Sequence, residues 1–252
     1  MSKRKATKKT VKQNATKGSQ QKIERVNTGI TGFDKLILGG FKKNSVNLIA
    51  GGAGSGKTIF AVQFLVTGLK KGEAGIYLTF EEKKEGFYED MLEFGWDLKR
   101  YEDENKFVFL EYTPEQVKKV LIEGGGAVDA IIKKLKVKRL VIDSITSFAL
   151  LYEDELTRKQ ASLALFELIS SWDCTALLTS QGSSEQDIEI TATTEFEVDA
   201  IILAYHIKKK GTRVRAIEIL KMRGTDYPEK TVAMDIIDKK GVTVNPNKIV
   251  TF

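Results

Sequence analysis

Val46-Asn47-Leu48-Ile49-Ala50-Gly51-Gly52-Ala53-Gly54-Ser55-Gly56-Lys57-Thr58-Ile59-Phe60 is the stretch from which the rest of the chain can be read. It opens with a largely apolar run of strand length, and it closes on a helical pattern that continues through Val62, Phe64 and Leu65. Between them Gly51 to Thr58 fits G-x-x-x-x-G-K-[ST], a spacing that wraps backbone N–H groups around phosphate oxygens. The order strand, loop, helix adds the unpaired N–H groups and partial positive charge of a helix N-terminus at the same spot. Lys57 supplies a cation for the β and γ phosphates of a nucleotide, and Thr58 a hydroxyl for Mg²⁺. The expected nucleotide contacts are Gly52, Ala53, Gly54, Ser55, Gly56, Lys57, Thr58 and Ile59, with ATP and Mg²⁺ as the ligands. A glycine-rich surface turn is the bland alternative; a chance match in a chain this long has a probability on the order of one in a hundred.

Working outward, short β-branched runs alternate with longer segments of helical spacing, as in an α/β fold with a mostly parallel sheet covered by helices. Strands are expected at Val46–Ala50, Gly75–Thr79, Phe107–Leu110, Arg139–Ile142 and Thr175–Thr179, with helices beginning near Lys57, Lys84, Glu115 and Glu155. Pro114 suits a helix start, where its missing N–H costs nothing. After about Ala200 the pattern changes: Ala200–Tyr205, Thr212–Lys221 and Thr231–Ile237 read as strands joined by the short turns Lys210-Gly211 and Lys239-Lys240-Gly241. These predict an antiparallel hairpin extension of the sheet.

A second Mg²⁺ group is expected where a buried strand ends in a carboxylate, and Arg139-Leu140-Val141-Ile142-Asp143-Ser144 ends in Asp143. Hydrolysis needs a group that orients or deprotonates water. Thr79-Phe80-Glu81-Glu82 follows the second strand; Glu81 is the first candidate and Glu82 the second, against a solvated charged loop running into Lys83 and Lys84. Two adjacent carboxylates repel, so one of a shielded pair is expected to hold its proton more tightly.

The chain carries 252 residues, 42% of them hydrophobic, enough for one substantial core, and no apolar run approaches the roughly 20 residues that span a bilayer. Its one cysteine, Cys174, permits no intrachain disulfide, so a reducing, cytoplasmic setting is expected. The net charge of +6 is less than the eight lysines and arginines within residues 1–22, which contain no acidic residue. Residues 23–252 are thus slightly acidic. The organisation expected is a basic disordered tail over 1–22 and one folded domain over 23–252. A solvated tail and a weak, salt-sensitive hold on nucleic acid are both open for that segment. His206, Cys174, Trp96 and Trp172 read as packing residues, and Leu163, Leu165, Phe166 and Ile169 as a core-facing helix stripe.

Several motifs taken together resemble the KaiC-like branch of the RecA/RadA ATPase family, over about residues 23 to 245. Besides the phosphate loop they are Thr28-Gly29-Ile30-Thr31-Gly32-Phe33-Asp34 with Leu38-Gly39-Gly40, Phe80-Glu81-Glu82, Asp143-Ser144-Ile145-Thr146 and Lys221-Met222-Arg223-Gly224-Thr225. The resemblance implies a RecA-like P-loop NTPase fold and a ring-forming ATPase. It also implies a homo-oligomer, a hexameric ring with ATP at subunit interfaces. In that family the Lys-x-Arg pair reaches a neighbour's γ phosphate, which carries the role onto Lys221 and Arg223. Gln181, in Thr179-Ser180-Gln181, takes the place of a polar sensor beside the γ phosphate. Three departures stand out. The clock protein of the family has two such domains and this chain one. The Ser-Thr pair of its phosphorylating domain aligns with Glu195-Phe196, Thr193 and Thr194 being out of register, so clock-type autophosphorylation is not expected. The loop after Leu38 reads Gly-Gly-Phe-Lys-Lys-Asn in place of a third glycine and Pro-x-Gly.

Recombinases of this superfamily bind DNA on loops after the Mg²⁺ strand and the sensor strand, surfaces that need cations. Here one segment carries Glu185, Asp187, Glu189, Glu195, Glu197 and Asp199 without a lysine or arginine, and the other Glu153, Asp154 and Glu155 with only Arg158 and Lys159. Protein partners are therefore expected ahead of nucleic acid, which the tail or the basic turn around Lys208–Arg213 would contact if it binds at all. A recombination accessory protein and a non-hydrolysing, ATP-gated assembly module are the alternatives to an ATPase that couples nucleotide state to partners.

Overall fold

The computed structural model describes residues 23–182 and 198–251. The tail over 1–22 and the acidic stretch from Glu185 to Glu197, with Thr193 and Thr194, lie outside the described residues. The strands are β1 (Arg25–Val26), β2 (Phe41–Lys42), β3 (Val46–Gly51), β4 (Gly75–Thr79), β5 (Phe107–Glu111), β6 (Arg139–Asp143), β7 (Thr175–Gln181), β8 (Ala200–Lys209), β9 (Thr212–Met222), β10 (Val232–Ile237) and β11 (Gly241–Ile249). The helices are α1 (Phe33–Leu36), α2 (Lys57–Leu69), α3 (Lys84–Glu93), α4 (Leu98–Asp103), α5 (Pro114–Ile122), α6 (Gly126–Leu135), α7 (Ile145–Ala149) and α8 (Glu155–Ser170).

Nine strands form one sheet in the order β11-β10-β9-β8-β3-β7-β6-β4-β5. From β8 to β5 every pairing is parallel, and β9, β10 and β11 continue the sheet antiparallel. The fold is thus an α/β sheet with an antiparallel C-terminal extension. Each expected strand begins within a residue of its observed start. Thr113 opens α5 with a reciprocal capping box to Gln116, and Pro114 takes the first helical position.

The parallel strands are apolar at successive positions because both faces are covered. Leu140 and Ile142 pack on one face and Val141 on the other; Ala176 and Leu178 alternate with Leu177 in the same way. One face is closed by α2 and α3 through Phe60, Phe64 and Phe87, the other by α7 and α8 through Phe148, Phe166 and Ile169. Trp96, Trp172 and Cys174 are all buried in these layers, and burial pushes the Cys174 thiol up to about 12. In α8 the buried stripe is Ser162, Leu165, Phe166 and Ile169; Leu163 is only half-buried.

The Thr28–Asp34 motif is a structural clasp. The Asp34 carboxylate accepts from Thr28 N, Thr28 Oγ1 and Gly29 N. The Gln63 side chain donates to Gly29 O and Val242 O and accepts from Val242 N, tying this turn to α2 and β11. Arg25 donates to Ile37 O, Gly40 O and Thr225 Oγ1, so the Leu38-Gly39-Gly40 and Lys221–Thr225 motifs share one anchor.

A second anchor sits at the N-terminal end of β6. Arg139 is 1% exposed; its Nε donates to Glu73 at 2.6 Å and its Nη1 to Asn27 O and Phe64 O at 2.8 Å, while the guanidinium lies 4.7 Å over the Phe64 ring. A Cβ at Gly68 would come within 2.3 Å of that Nε. Helix propensity alone favours Gly68→Ala by roughly 1 kcal/mol. The pinned guanidinium reverses the sign: Gly68→Ala is expected to lower unfolding free energy by about 1–3 kcal/mol, read by urea denaturation.

Candidate functional site

The phosphate loop leaves β3 at Gly51 and enters α2 at Lys57. Gly56 stands at the helix N-cap with φ +96°, a left-handed conformation that glycine adopts without the strain a side chain would bring. A Cβ at Gly51 would meet Ala204 O at 2.1 Å, so this residue lets β8 approach the loop's origin. Ser55 is fully buried, and among the described residues its hydroxyl has no hydrogen-bond partner. An orphaned donor in a loop of this kind is what a bound oxyanion would satisfy. The Lys57 Nζ lies back across the loop, donating to Gly52 O at 3.0 Å. Burial lowers its pKa below the usual lysine range, against the pull of Asp143 and then Glu81.

Asp143 ends β6 beside the loop. Its Oδ2 accepts from Thr58 Oγ1 and from the Tyr77 hydroxyl, each at 2.8 Å, and its Oδ1 from Thr179 Oγ1. The two expected metal-side residues, Thr58 and Asp143, are thus in direct contact. Both present oxygens suited to Mg²⁺ or to its water shell, and Ser55 and Lys57 present the donors a phosphate needs. The residue set fits Mg²⁺ and a nucleotide triphosphate.

Glu81 and Glu82 leave β4 together, and their backbone N–H groups both donate to Thr79 Oγ1. The Glu81 carboxylate accepts from Ser147 Oγ at 2.6 Å and is close enough to Lys57 to act on its charge. Half-burial, then repulsion from Asp143, Asp90 and Glu81, raises the Glu82 pKa. Gln181 ends β7 opposite Gly51, and its N–H donates to Thr146 Oγ1 at 2.8 Å. Lys57, Thr58, Asp143, Glu81, Glu82 and Gln181 all gather at the C-terminal end of the parallel sheet.

Lys221 and Arg223 do not join them. Gly51 pairs with Ala204 of β8, whereas Lys221 pairs with Ile201 and the Arg223 N–H donates to Asp199 O. At about 3.3 Å per strand residue they stand roughly 10 and 16 Å back toward the N-terminal end. Neither is brought to this chain's own loop.

Other residues are. Arg215 Nε donates to Gly54 O at 2.8 Å, and His206, its partner across the β8–β9 ladder, lies so close that a Cβ at Gly54 would sit 2.9 Å from its Nδ1. His206, expected as packing, therefore packs on the phosphate loop itself. Met234 and Ile236 of β10 back Gly56. None of these belongs to a local motif, and only the strand register brings them here. For Tyr77 a signal did exist: strand alternation places it on the same face as Thr79, which pairs with Asp143. In the other loop, Asp154 caps α8 by accepting from Leu156 N and Thr157 N. Among the described residues no helix is long and apolar enough to cross a membrane, and no cluster of His, Cys, Asp and Glu would hold a metal by itself.

Residues 26–249 match the family model described as ATPase: KaiC. The chain is similar to the circadian clock protein KaiC3 of Synechocystis, 35% identical over 232 residues that cover 89% of this chain and 46% of that protein. It thus spans about half the length of that relative. It is also 32% identical over 240 residues to a UPF0273 protein of Pyrococcus furiosus, covering 90% of this chain and 96% of the relative. Among solved structures, that of a KaiC-like protein from Pyrococcus horikoshii resembles it with a TM-score of 0.76 at 33% identity, covering 89% of this chain and all of that one.

In a carboxyl-carbon NMR titration, Glu82 is expected to titrate above the ordinary glutamate range. Asp143→Asn removes one repelling charge and brings the value down. Because the folded pKa lies above the unfolded one, this group's contribution to stability is full below the unfolded pKa. It is lost as pH rises through the folded value. A Glu82 that titrates like a free glutamate in both proteins contradicts this.

Proposed function

The chain belongs to the KaiC family of ATPases, and on that premise we propose that it binds Mg·ATP at Gly51–Thr58 and hydrolyses the γ phosphate within a ring of identical subunits. The observation that carries the reading is the meeting of Thr58 with Asp143 beside a loop that holds the buried, unpartnered Ser55 hydroxyl and a folded-back Lys57. A phosphate binder with no metal chemistry has no use for the first pair.

When bound, Mg²⁺ would be held by Thr58 and Asp143 and would supply neutralisation of the charge on the phosphates. The chain supplies the rest. Backbone N–H groups from Gly52 to Ile59 and the Ser55 hydroxyl hold the phosphates, and Lys57 exchanges its bond to Gly52 O for a phosphate oxygen. Glu81 stands next to Lys57 on the open side of the site, where it orients a water and accepts its proton; Ser147 fixes the carboxylate's direction. Glu82 is the second candidate for that role. Gln181 lies at strand-end level with Gly51 and senses the γ phosphate.

The placement of Lys221 and Arg223 supports a site completed between subunits. Standing back from their own loop, they are of use to phosphate chemistry only in another copy's site, where two cations stabilise developing charge. A hexamer is the ring size that the family resemblance favours. A ring with this geometry couples nucleotide state to its own subunit contacts and, through them, to protein partners.

Lys57→Ala is expected to abolish ATP binding. Glu81→Gln keeps ATP affinity within a few-fold and lowers turnover by about 10²- to 10⁴-fold, while Glu82→Gln costs less. Equilibrium binding and phosphate release, measured on the same preparations, separate the two. Wild-type protein that binds ATP without releasing phosphate as an assembled ring contradicts the hydrolytic reading and leaves a nucleotide-gated module.

A further inference from the structure

Tyr77 is a buried tyrosine whose hydroxyl reaches the metal-side end of the sheet. Its side chain is fully buried, with the ring stacked on Phe109 at 5.7 Å and 15° and packed on Phe87 at 4.5 Å. Packing accounts for the ring, and a phenylalanine would serve it equally well. Packing does not account for the oxygen. The hydroxyl lies 2.8 Å from Asp143 Oδ2, having been carried toward the strand end from a position two residues before Thr79, the residue that pairs with Asp143.

Three hydroxyls meet at this carboxylate, and they are not equivalent. Thr58 belongs to the phosphate loop and is the hydroxyl the Mg²⁺ ion takes. Thr179, from β7, holds Oδ1. Tyr77 and Thr58 share Oδ2. Once Thr58 turns to the metal, Tyr77 is the remaining hydroxyl on Oδ2. A carboxylate that loses one donor as a cation arrives swings unless a second donor keeps it aimed. A tyrosine hydroxyl carries its proton at neutral pH, so it remains a donor.

We propose that Tyr77 is a positioning residue for the Mg²⁺ site: its hydroxyl keeps Asp143 Oδ2 aimed when Thr58 leaves it for the metal. The proposal rests on the reading of Asp143 and Thr58 as the metal-side pair. Tyr77 touches neither nucleotide nor metal and acts only through Asp143. Partners of this kind set ligand direction, and their loss costs about 10- to 100-fold in metal affinity.

The test is a binding measurement on the full chain with ADP as the probe. Wild type, Tyr77→Phe and Asp143→Asn are each titrated with ADP in excess chelator, and then with Mg²⁺ at fixed ADP. Tyr77→Phe keeps the ring and removes one oxygen. It is expected to raise the Mg²⁺ midpoint about tenfold, the lower end of that range, while metal-free ADP affinity stays within about twofold. An unchanged Mg²⁺ midpoint overturns the proposal, and so does an equal loss with and without metal, which is the mark of a packing defect. Asp143→Asn separates the two levels of inference. If it shifts the midpoint and Tyr77→Phe does not, the proposal alone fails; if Asp143→Asn has no effect, the metal-site reading fails with it. A second measurement needs no variant: with Cζ-labelled tyrosine, the Tyr77 resonance is expected to move when Mg²⁺ is added to the ADP complex. A resonance that stays in place overturns the proposal.

Discussion

A carboxylate at the end of a buried strand must be satisfied from several directions at once, and Asp143 is where that requirement organises this molecule. Its oxygens draw hydroxyls from β4 through Tyr77, from β7 through Thr179 and from α2 through Thr58. Three separate segments are held at one point, and the phosphate loop starts α2 within reach of it. Unpaired, a half-buried charge of this kind would cost several kcal/mol. Paired as it is, it holds Thr58 and Tyr77 on the same oxygen.

The other end of β6 mirrors the arrangement with a cation. Arg139 is held through its Nε and Nη1 by Glu73, Asn27 O and Phe64 O, which fastens Asn27 and the middle of α2 to the sheet. Five residues thus run from a buried guanidinium to a half-buried carboxylate, and α2 meets both. Removing either end would loosen the helix whose first turn forms the phosphate site. The Thr28–Asp34 clasp and Gln63 add a third attachment through β11. The rigidity of the site therefore comes from polar pins on a helix otherwise held by Phe60, Phe64 and Leu65.

What was legible in the sequence was what is local. The loop from Gly51 to Thr58, the carboxylate ending β6 and the strand starts each follow from a few consecutive residues, so spacing and alternation reveal them. The strand β11 was not foreseen because Pro246 interrupts its pattern; the ladder accommodates it at the sheet edge, with a register shift opposite Val232 and Ala233. The six-residue α4 lacks the length that makes a period readable, although Asp97 does cap it as a sequence rule would allow; α6, as long as α3, lies behind the glycine run Gly124–Gly126, which reads as a turn. His206 and Arg215 touch the phosphate loop from about 160 residues away, through antiparallel pairing that no spacing rule encodes. The residues thus missed are those whose place depends on register between distant strands.

Register also bears directly on the proposed function. The sheet carries Lys221 and Arg223 toward the end opposite their own phosphate loop, and the proposed completion of the site by another subunit rests on that placement. The most direct measurement is ATP turnover per chain in Mg²⁺ as protein concentration is raised from the monomeric range, with assembly state followed in the same samples. Turnover that climbs from near zero to a plateau as subunits assemble is the result predicted here. Constant, measurable turnover in samples shown to be monomeric would contradict it.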